Sequence, residues 1–345
     1  MLNDSITPQQ QEQLDQLIRQ SNAIVCVCHQ NPDGDALGSM LGWANLLTTV
    51  YGKSPEMFAP DQFPDYLMWL PFTDKITRYD KHREGCDWTL QHADLIFLLD
   101  LNDVNRTGDM EQQLAQSPAK KVLIDHHLNP DVEADIIISR PTASSASELV
   151  FRLAWQMQCF DQLDRLFAVP VYCGMMTDTG GFTYNSSSPD IYFIVSQLLT
   201  KRINKDRIYR NVYHTFSENR LRLQGFVMCH RLVVDADRHA SYFTLTRKDL
   251  KHFRFMKGDA EGLVNMPLQM KGHRLSISLR EDTEKDNLVW VSLRSVDQFP
   301  CNEMAARYFN GGGHLNASGG KLFCSMEEAV KVTQQAILAF ENQLV

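Results

Sequence analysis

Charge placed at the ends of buried strands constrains this chain more than any other feature. Stretches that read as strands, at 23–28, 94–99 and 121–124, run straight into HQNPDGDALGS (29–39), Asp100 and Asp125-His126-His127. Carboxylates and imidazoles beside an apolar core are costly to desolvate unless something neutralises them. Short β-branched strands alternating with helices indicate a parallel, doubly wound sheet. In such a sheet the carboxyl ends of the strands share one edge, where ligands bind.

The remaining elements follow from pattern. A polar helix is expected over about 8–20, then the first strand, with HQNPDGDALGS as a loop and Met40–Val50 as a helix packing on the sheet. Further strands are expected near Met57–Ala59 and over Ala134–Ser139, where Pro141 ends the run. The serines of TASSASELVFRLAWQM are placed to cap a helix, and another apolar helix, about Leu163–Met176, leads into TDTGGF. The stretch 201–235 reads as a connecting helical region. Beyond it, strands near 240–245, 275–279 and 289–293, the sequence GGGHLNASGG and a last helix over 326–343 describe a smaller mixed α/β domain. The expected architecture is therefore α/β: a domain at 1–200, a helical linker at 201–235 and a second domain at 236–345. A chain of 345 residues is too long for one ordinary core, which agrees.

Charge distribution narrows the partners. Residues 1–200 carry 12 basic and 26 acidic side chains, 201–235 carry 8 and 3, and 236–345 carry 14 and 13. This disfavours a long basic groove for duplex nucleic acid. No apolar run approaches the roughly 20 residues of a membrane span, and the start lacks the layout of a signal peptide. The 8 cysteines form no CxxC pair, so reduced thiols in a cytoplasm are expected. Cys26 and Cys28 are expected on opposite faces of their sheet.

His29, Asp33, Asp35, Asp100, Asp125, His126, His127 and Asp178 should therefore meet at one sheet edge. Taken singly, each has a plainer reading: PDGD as a tight turn, DHH as a turn or cap, TDTGG as a helix end. Together, in this order, they indicate a divalent cation site of mixed carboxylate and imidazole ligands, suited to Mn²⁺, Mg²⁺, Co²⁺ or Fe²⁺. Candidate ligands are too many for one ion, and two ions bridged by a carboxylate would use them.

The motifs resemble those of the DHH phosphoesterase superfamily, in the subfamily whose C-terminal half is a DHHA1 domain. RecJ-type exonucleases and smaller nano-RNase/pAp-phosphatases belong to it, and the length favours the small members. HQNPDGDALGS, Asp100 in LLDLND, DHH at 125–127 and TDTGGF resemble its four catalytic motifs, and GGGHLNASGG at 311–320 its glycine-rich motif. The resemblance implies one metal on His29, Asp33 and Asp100. It implies a second on Asp35, Asp100, His126 and Asp178, with Asp100 bridging and manganese first among the ions. Asp125 would orient an imidazole, and His127 would face the substrate phosphate. Asn31 and Ser39 fit as supports of the first loop. Relatives often carry an arginine before the tyrosine that follows TDTGGF, where this chain has Thr183.

Two such ions make hydroxide available near neutral pH for in-line attack on phosphorus. Cations on the substrate are expected from the second domain: Arg280, Arg294, and His314 after Gly311, Gly312 and Gly313, whose amides can approach a phosphate closely. Phe182 and Tyr184 are candidates for base stacking as well as for packing. The reading is a cytoplasmic hydrolase that degrades very short RNAs to mononucleotides and 3′-phosphoadenosine 5′-phosphate (pAp) to AMP, with a homodimer compatible. The alternatives are cleavage of pApA or a cyclic dinucleotide, and a non-catalytic nucleotide sensor. Some members of the superfamily act on pyrophosphate or polyphosphate, which the GGGH motif disfavours.

Overall fold

The structure is a computed structural model that describes residues 2, 4–256 and 258–344. It divides into two compact units, Met1–Thr215 and Phe216–Val345. The division falls inside the stretch 201–235.

The first unit runs α1 (Pro8–Gln20), β1 (Ile24–Val27), α2 (Gly34–Tyr51), β2 (Glu56–Ala59), β3 (Ile76–Arg78), α3 (Tyr79–His92), β4 (Leu95–Leu99), α4 (Glu111–Gln116), β5 (Lys120–Asp125), β6 (Ile136–Ser139), α5 (Ala146–Gln156), α6 (Arg165–Asp178), α7 (Pro189–Thr200) and α8 (Lys205–Tyr213). Its sheet has the order β3-β2-β1-β4-β5-β6, parallel throughout. The order reverses between β1 and β4, so the carboxyl ends of those strands open a crevice. Strand residues alternate between two cores. Ile24, Cys26, Phe97, Leu99, Val122 and Ile124 pack on one side with α2, α5 and α6. Val25, Val27, Ile96, Leu98 and Leu123 pack on the other with α3 and α4. Cys26 and Cys28 lie in the same core, correcting the expectation that they part, because residues two apart on a strand share a face.

The second unit runs α9 (Glu218–Phe226), β7 (Leu232–Asp235), β8 (Ala240–Leu245), α10 (Arg247–His252), β9 (Leu275–Glu281), β10 (Val289–Ser295), α11 (Cys301–Tyr308), β11 (Gly312–Gly313), β12 (Ala317–Leu322), α12 (Met326–Ala339) and α13 (Glu341–Leu344). The sheet order is β11-β12-β10-β9-β8-β7, antiparallel except for the β8/β9 pair. Helices α11 and α12 cover one face.

Three local expectations change. HQNPDGDALGS is a loop only as far as Asp33: the Asp33 side chain accepts from the Asp35 and Ala36 amides and starts α2 at Gly34. The stretch 201–235 is not all helical, since its last residues form β7, paired with β8. β3 escaped notice because its three residues, Ile76-Thr77-Arg78, carry too little apolar pattern. No helix among the described residues is long and apolar enough to cross a membrane.

Candidate metal centre and active site

His29 follows β1. Its Nδ1–H donates to the Gln30 carbonyl (2.8 Å), which leaves the Nε2 lone pair facing inward, 3.4 Å from Asp100 Oδ2 and 3.9 Å from Asp33 Oδ2. A carbonyl on one ring nitrogen is how a ligand imidazole is held in one tautomer. Asp33 serves twice, since Oδ1 caps α2 while Oδ2 faces His29.

Asp35 is buried in the first turn of α2. Its carboxylate accepts from the amides of Ala146 (2.6 Å) and Ser147 (2.9 Å) at the start of α5. Helix amides and the helix dipole favour the negative charge. Burial nevertheless dominates, with repulsion from Asp100 and Asp178 added, and pushes Asp35 well above the ordinary carboxylate range. Close helix packing brings the pieces together. A Cβ at Gly38 would lie 2.6 Å from the Pro170 carbonyl oxygen and 2.9 Å from Gly174 Cα, so α2 and α6 can touch only without one. This carries Asp178, in the last turn of α6 rather than beyond it, to the mouth of the crevice.

Asp100 is the centre of the arrangement. It leaves β4 with φ 59°, a left-handed conformation that Asp tolerates better than most residues. Its Oδ2 faces His29, and its Oδ1 lies 3.4 Å from His126 Nε2. Burial opposes the charge of Asp100, but His126, His29 and His127 outweigh it and hold its pKa well below the usual value. Yet Oδ1 is buried and has no hydrogen-bond partner. A buried carboxylate oxygen without a donor is costly, and a cation is what such an atom accommodates.

His126 Nε2 also lies 3.4 Å from Asp178 Oδ2 and 3.8 Å from Asp35 Oδ2. Burial works against the imidazolium, but Asp100, Asp178 and Asp35 raise the His126 pKa well above its ordinary value. Desolvation, partly offset by His126, pushes Asp178 up to about 7. A cluster in which protons take the place of cations is what these shifts describe.

Asp125, fully buried at the end of β5, accepts from His127 Nδ1 (2.7 Å) and from the His127 amide (3.0 Å). His127 Nε2 in turn faces Arg106 Nη1 at 3.0 Å. The carboxylate and the guanidinium thus hold His127 with its Nδ1 protonated. Within the first unit, ligand atoms within 4.8 Å of one another form the sets His29/Asp33/Asp100 and Asp35/Asp100/His126, and Asp100/Asp125/His127 as a third. The first two share Asp100 and fit divalent cations with oxygen and nitrogen ligands. The third is already accounted for by hydrogen bonding.

His29, Asp33, Asp35, Asp100, Asp125, His126, His127 and Asp178 lie together in this cluster. The supports differ. Ser39 Oγ donates to the Asp35 (2.7 Å) and Ala36 (3.2 Å) carbonyls of its own helix, and the Asn31 amide donates to Asp61 (2.7 Å). Phe182 packs against Tyr172, while Tyr184 is half exposed. Arg106 and the two α5 amides were missed. The amides carry no sequence signal beyond the serine cap; Arg106 sits in DVNRTGD, where a charged loop residue looks unremarkable.

In the second unit the two arginines lie apart. Arg280 aligns with Trp290, whereas Arg294 aligns with Ser276 and Ala317. Four register steps, about 13 Å, separate them because β9 and β10 are antiparallel. Arg280 is half-buried over the Phe255 ring (5.5 Å), and desolvation lowers its pKa. Arg294 lies toward the glycine strand: Gly313 (φ 139°) pairs with Ser318, one step from Ala317, and the His314 amide donates to the Ala317 carbonyl (2.8 Å). Gly311 meets the Gly319 carbonyl, leaving no room for a side chain.

Comparison with known proteins agrees with this picture. The DHH family, N-terminal domain, matches residues 23–175. The crystal structure of an exopolyphosphatase-related protein from Bacteroides fragilis superposes with a TM-score of 0.94 at 46% identity, covering 99% of each chain. The probable bifunctional oligoribonuclease and PAP phosphatase NrnA of Streptococcus mutans is 28% identical over 90% of this chain and 93% of its own. RecJ of Thermus thermophilus shares the fold at 13% identity and a TM-score of 0.56, over 100% of this chain and 57% of that one. With the motif residues gathered as described and a relative matched at 46% identity over 99% of each chain, the chain belongs to the DHH phosphoesterase family.

Proposed function

We propose that this protein is a metal-dependent phosphoesterase that hydrolyses short oligoribonucleotides to mononucleotides and pAp to AMP. One observation carries the reading: two ligand sets meet at Asp100, whose buried Oδ1 lacks a donor, in a chain similar along its length to a bifunctional oligoribonuclease and PAP phosphatase. In this reading His29, Asp33 and Asp100 hold one divalent ion, Asp35, Asp100, His126 and Asp178 a second, with Mn²⁺ preferred over Mg²⁺ or Co²⁺. The ions supply Lewis acidity and hydroxide at neutral pH. The chain's own part is geometric. Asp33 and the α5 amides fix the carboxylates, the Gln30 carbonyl fixes His29, and Asp125 fixes His127 beside the reacting phosphate. In the second unit, Arg294, Gly311, Gly312, Gly313 and His314 are the candidate phosphate-binding groups of that unit. Arg280, half-buried and about four register steps from Arg294, has a supporting part there.

The test is turnover of pAp, pApA, RNAs of two to five nucleotides, a longer RNA and polyphosphate, each with several metals. AMP from pAp and mononucleotides from the short RNAs are expected. Polyphosphate as the preferred substrate would replace this reading with the one suggested by the Bacteroides fragilis relative's description.

A further inference from the structure

The loop after β4 places one guanidinium at the cluster and leaves it unneutralised. Arg106 Nη1 lies 3.0 Å from His127 Nε2 and 3.4 Å from Asn102 Oδ1. Its carbonyl accepts from the Gln30 amide at 2.6 Å, which ties it to the loop that carries His29. Its charge reaches His29, where it opposes protonation. Two carboxylates flank it in sequence, and both are engaged elsewhere. Asp103 accepts from Asn105, and Asp109 pairs with Arg83 at 2.6 Å. Among the described residues no carboxylate lies within ion-pair distance of Arg106, and no acceptor lies on its Nε or Nη2.

Nε and Nη2 form the side-on edge of a guanidinium. In this same chain Arg19 and Arg78 use that edge to grip Asp15 and Asp80 through both carboxylate oxygens. It matches equally well the two non-bridging oxygens of a phosphoryl group. The loop from Thr179 to Ser188, beside Asp178, contains no basic residue.

We propose that Arg106 is a catalytic residue that contacts the phosphoryl oxygens of the substrate through Nε and Nη2, with His127 and Asn102 holding the other side of the guanidinium. This rests on the phosphoesterase reading and names the group that the first unit itself contributes to the scissile phosphate. Charge builds on those oxygens as phosphorus is attacked, and a fixed cation there stabilises it without reorganisation. The competing role is a brace, in which Arg106 only positions His127.

Four measurements on Arg106→Ala and Arg106→Lys separate the two: kcat/KM on a dinucleotide RNA and on pAp, Mn²⁺ affinity by calorimetry, the affinity of the Mn²⁺-loaded protein for inorganic phosphate, and rescue by free guanidinium. A substrate contact predicts that Arg106→Ala loses about 10²–10³-fold in kcat/KM, as for removal of one charge-stabilising donor. It predicts phosphate affinity weakened at least about tenfold, about 1.4 kcal/mol. Mn²⁺ affinity should stay within about threefold of wild type, less than 1 kcal/mol. Guanidinium should restore part of the activity, and lysine should retain part of it. Unchanged phosphate affinity overturns the proposal, and so does a loss of Mn²⁺ affinity that parallels the loss of activity. If wild type cleaves neither RNA nor pAp, the functional reading falls, and phosphate affinity alone then decides on Arg106.

Discussion

Gly174 of α6 stands so close to Asp35 of α2 that a Cβ on it would come within 2.8 Å of Asp35 Oδ1, and closer still to Ser147 Oγ. A proposed metal ligand, a helix start and a helix crossing are thereby locked to one another.

Gly174→Ala is therefore expected to move Asp35 and to weaken Mn²⁺ binding by about 10- to 100-fold, as changes around metal ligands do. Calorimetric titration with Mn²⁺ checks this. Gly85→Ala, in the exposed middle of α3 with nothing within 4 Å of the new Cβ, should instead stabilise the protein by roughly 0.5–1 kcal/mol in urea unfolding. If both substitutions behave alike, close packing is not what glycine serves at position 174.

Asp100→Asn keeps the shape and removes the charge that both ligand sets share. Elemental analysis after dialysis against Mn²⁺ should show loss of bound metal, with turnover reduced by at least about 10³-fold. Retention of full metal content would break the link between Asp100 and the ions.

Acidity should act on the metal-free protein in a definite direction. Asp178 titrates near 7 in the fold because of desolvation, and His126 lies well above its ordinary value. Both folded values exceed the unfolded ones, so their stabilisation is full below the unfolded pKa and is lost as pH rises through the folded pKa. For Asp178 the window is about pH 4 to 7. The melting temperature of EDTA-treated protein should fall as pH rises toward neutrality. Because ions need the deprotonated ligands, the gap between Mn²⁺-loaded and EDTA-treated protein should widen over the same range. A gap independent of pH would contradict it.

Behind the site, Arg152 Nε donates to Glu148 Oε1 (2.7 Å) with both side chains buried, and Glu148 Oε2 accepts from the Ser144 amide and hydroxyl (2.7 Å each). Arg152→Ala strands a buried carboxylate and should cost about 3–5 kcal/mol in urea unfolding. Asp4 grips Arg140 through both oxygens but is half exposed, so Asp4→Ala should cost no more than about 1 kcal/mol. Equal costs would show that burial does not set the worth of these pairs.

Much of the first unit was legible because its signals are local. A β-branched run followed by charge marks each strand end, and the parallel sheet then forces those ends together. What hid was geometry made by distant partners. Asp33 reads from the sequence as a ligand in a loop, and nothing there says that its other carboxylate oxygen starts α2. Arg280 and Arg294 looked equivalent, each near a strand end, until the antiparallel register put them about 13 Å apart. Arg106 hid because nothing in its neighbourhood says which carboxylates are already taken.

The proposed ligands span His29 to Asp178, placed by the ends of β1, β4 and β5, the start of α2 and the end of α6. The set His29, Asp33 and Asp100 is complete once β4 has been made, whereas the set that includes Asp178 needs α6. On the proposed reading, a nascent chain that has not yet delivered α6 can hold the first set and still lack Asp178, so the second ion would stabilise only the finished unit.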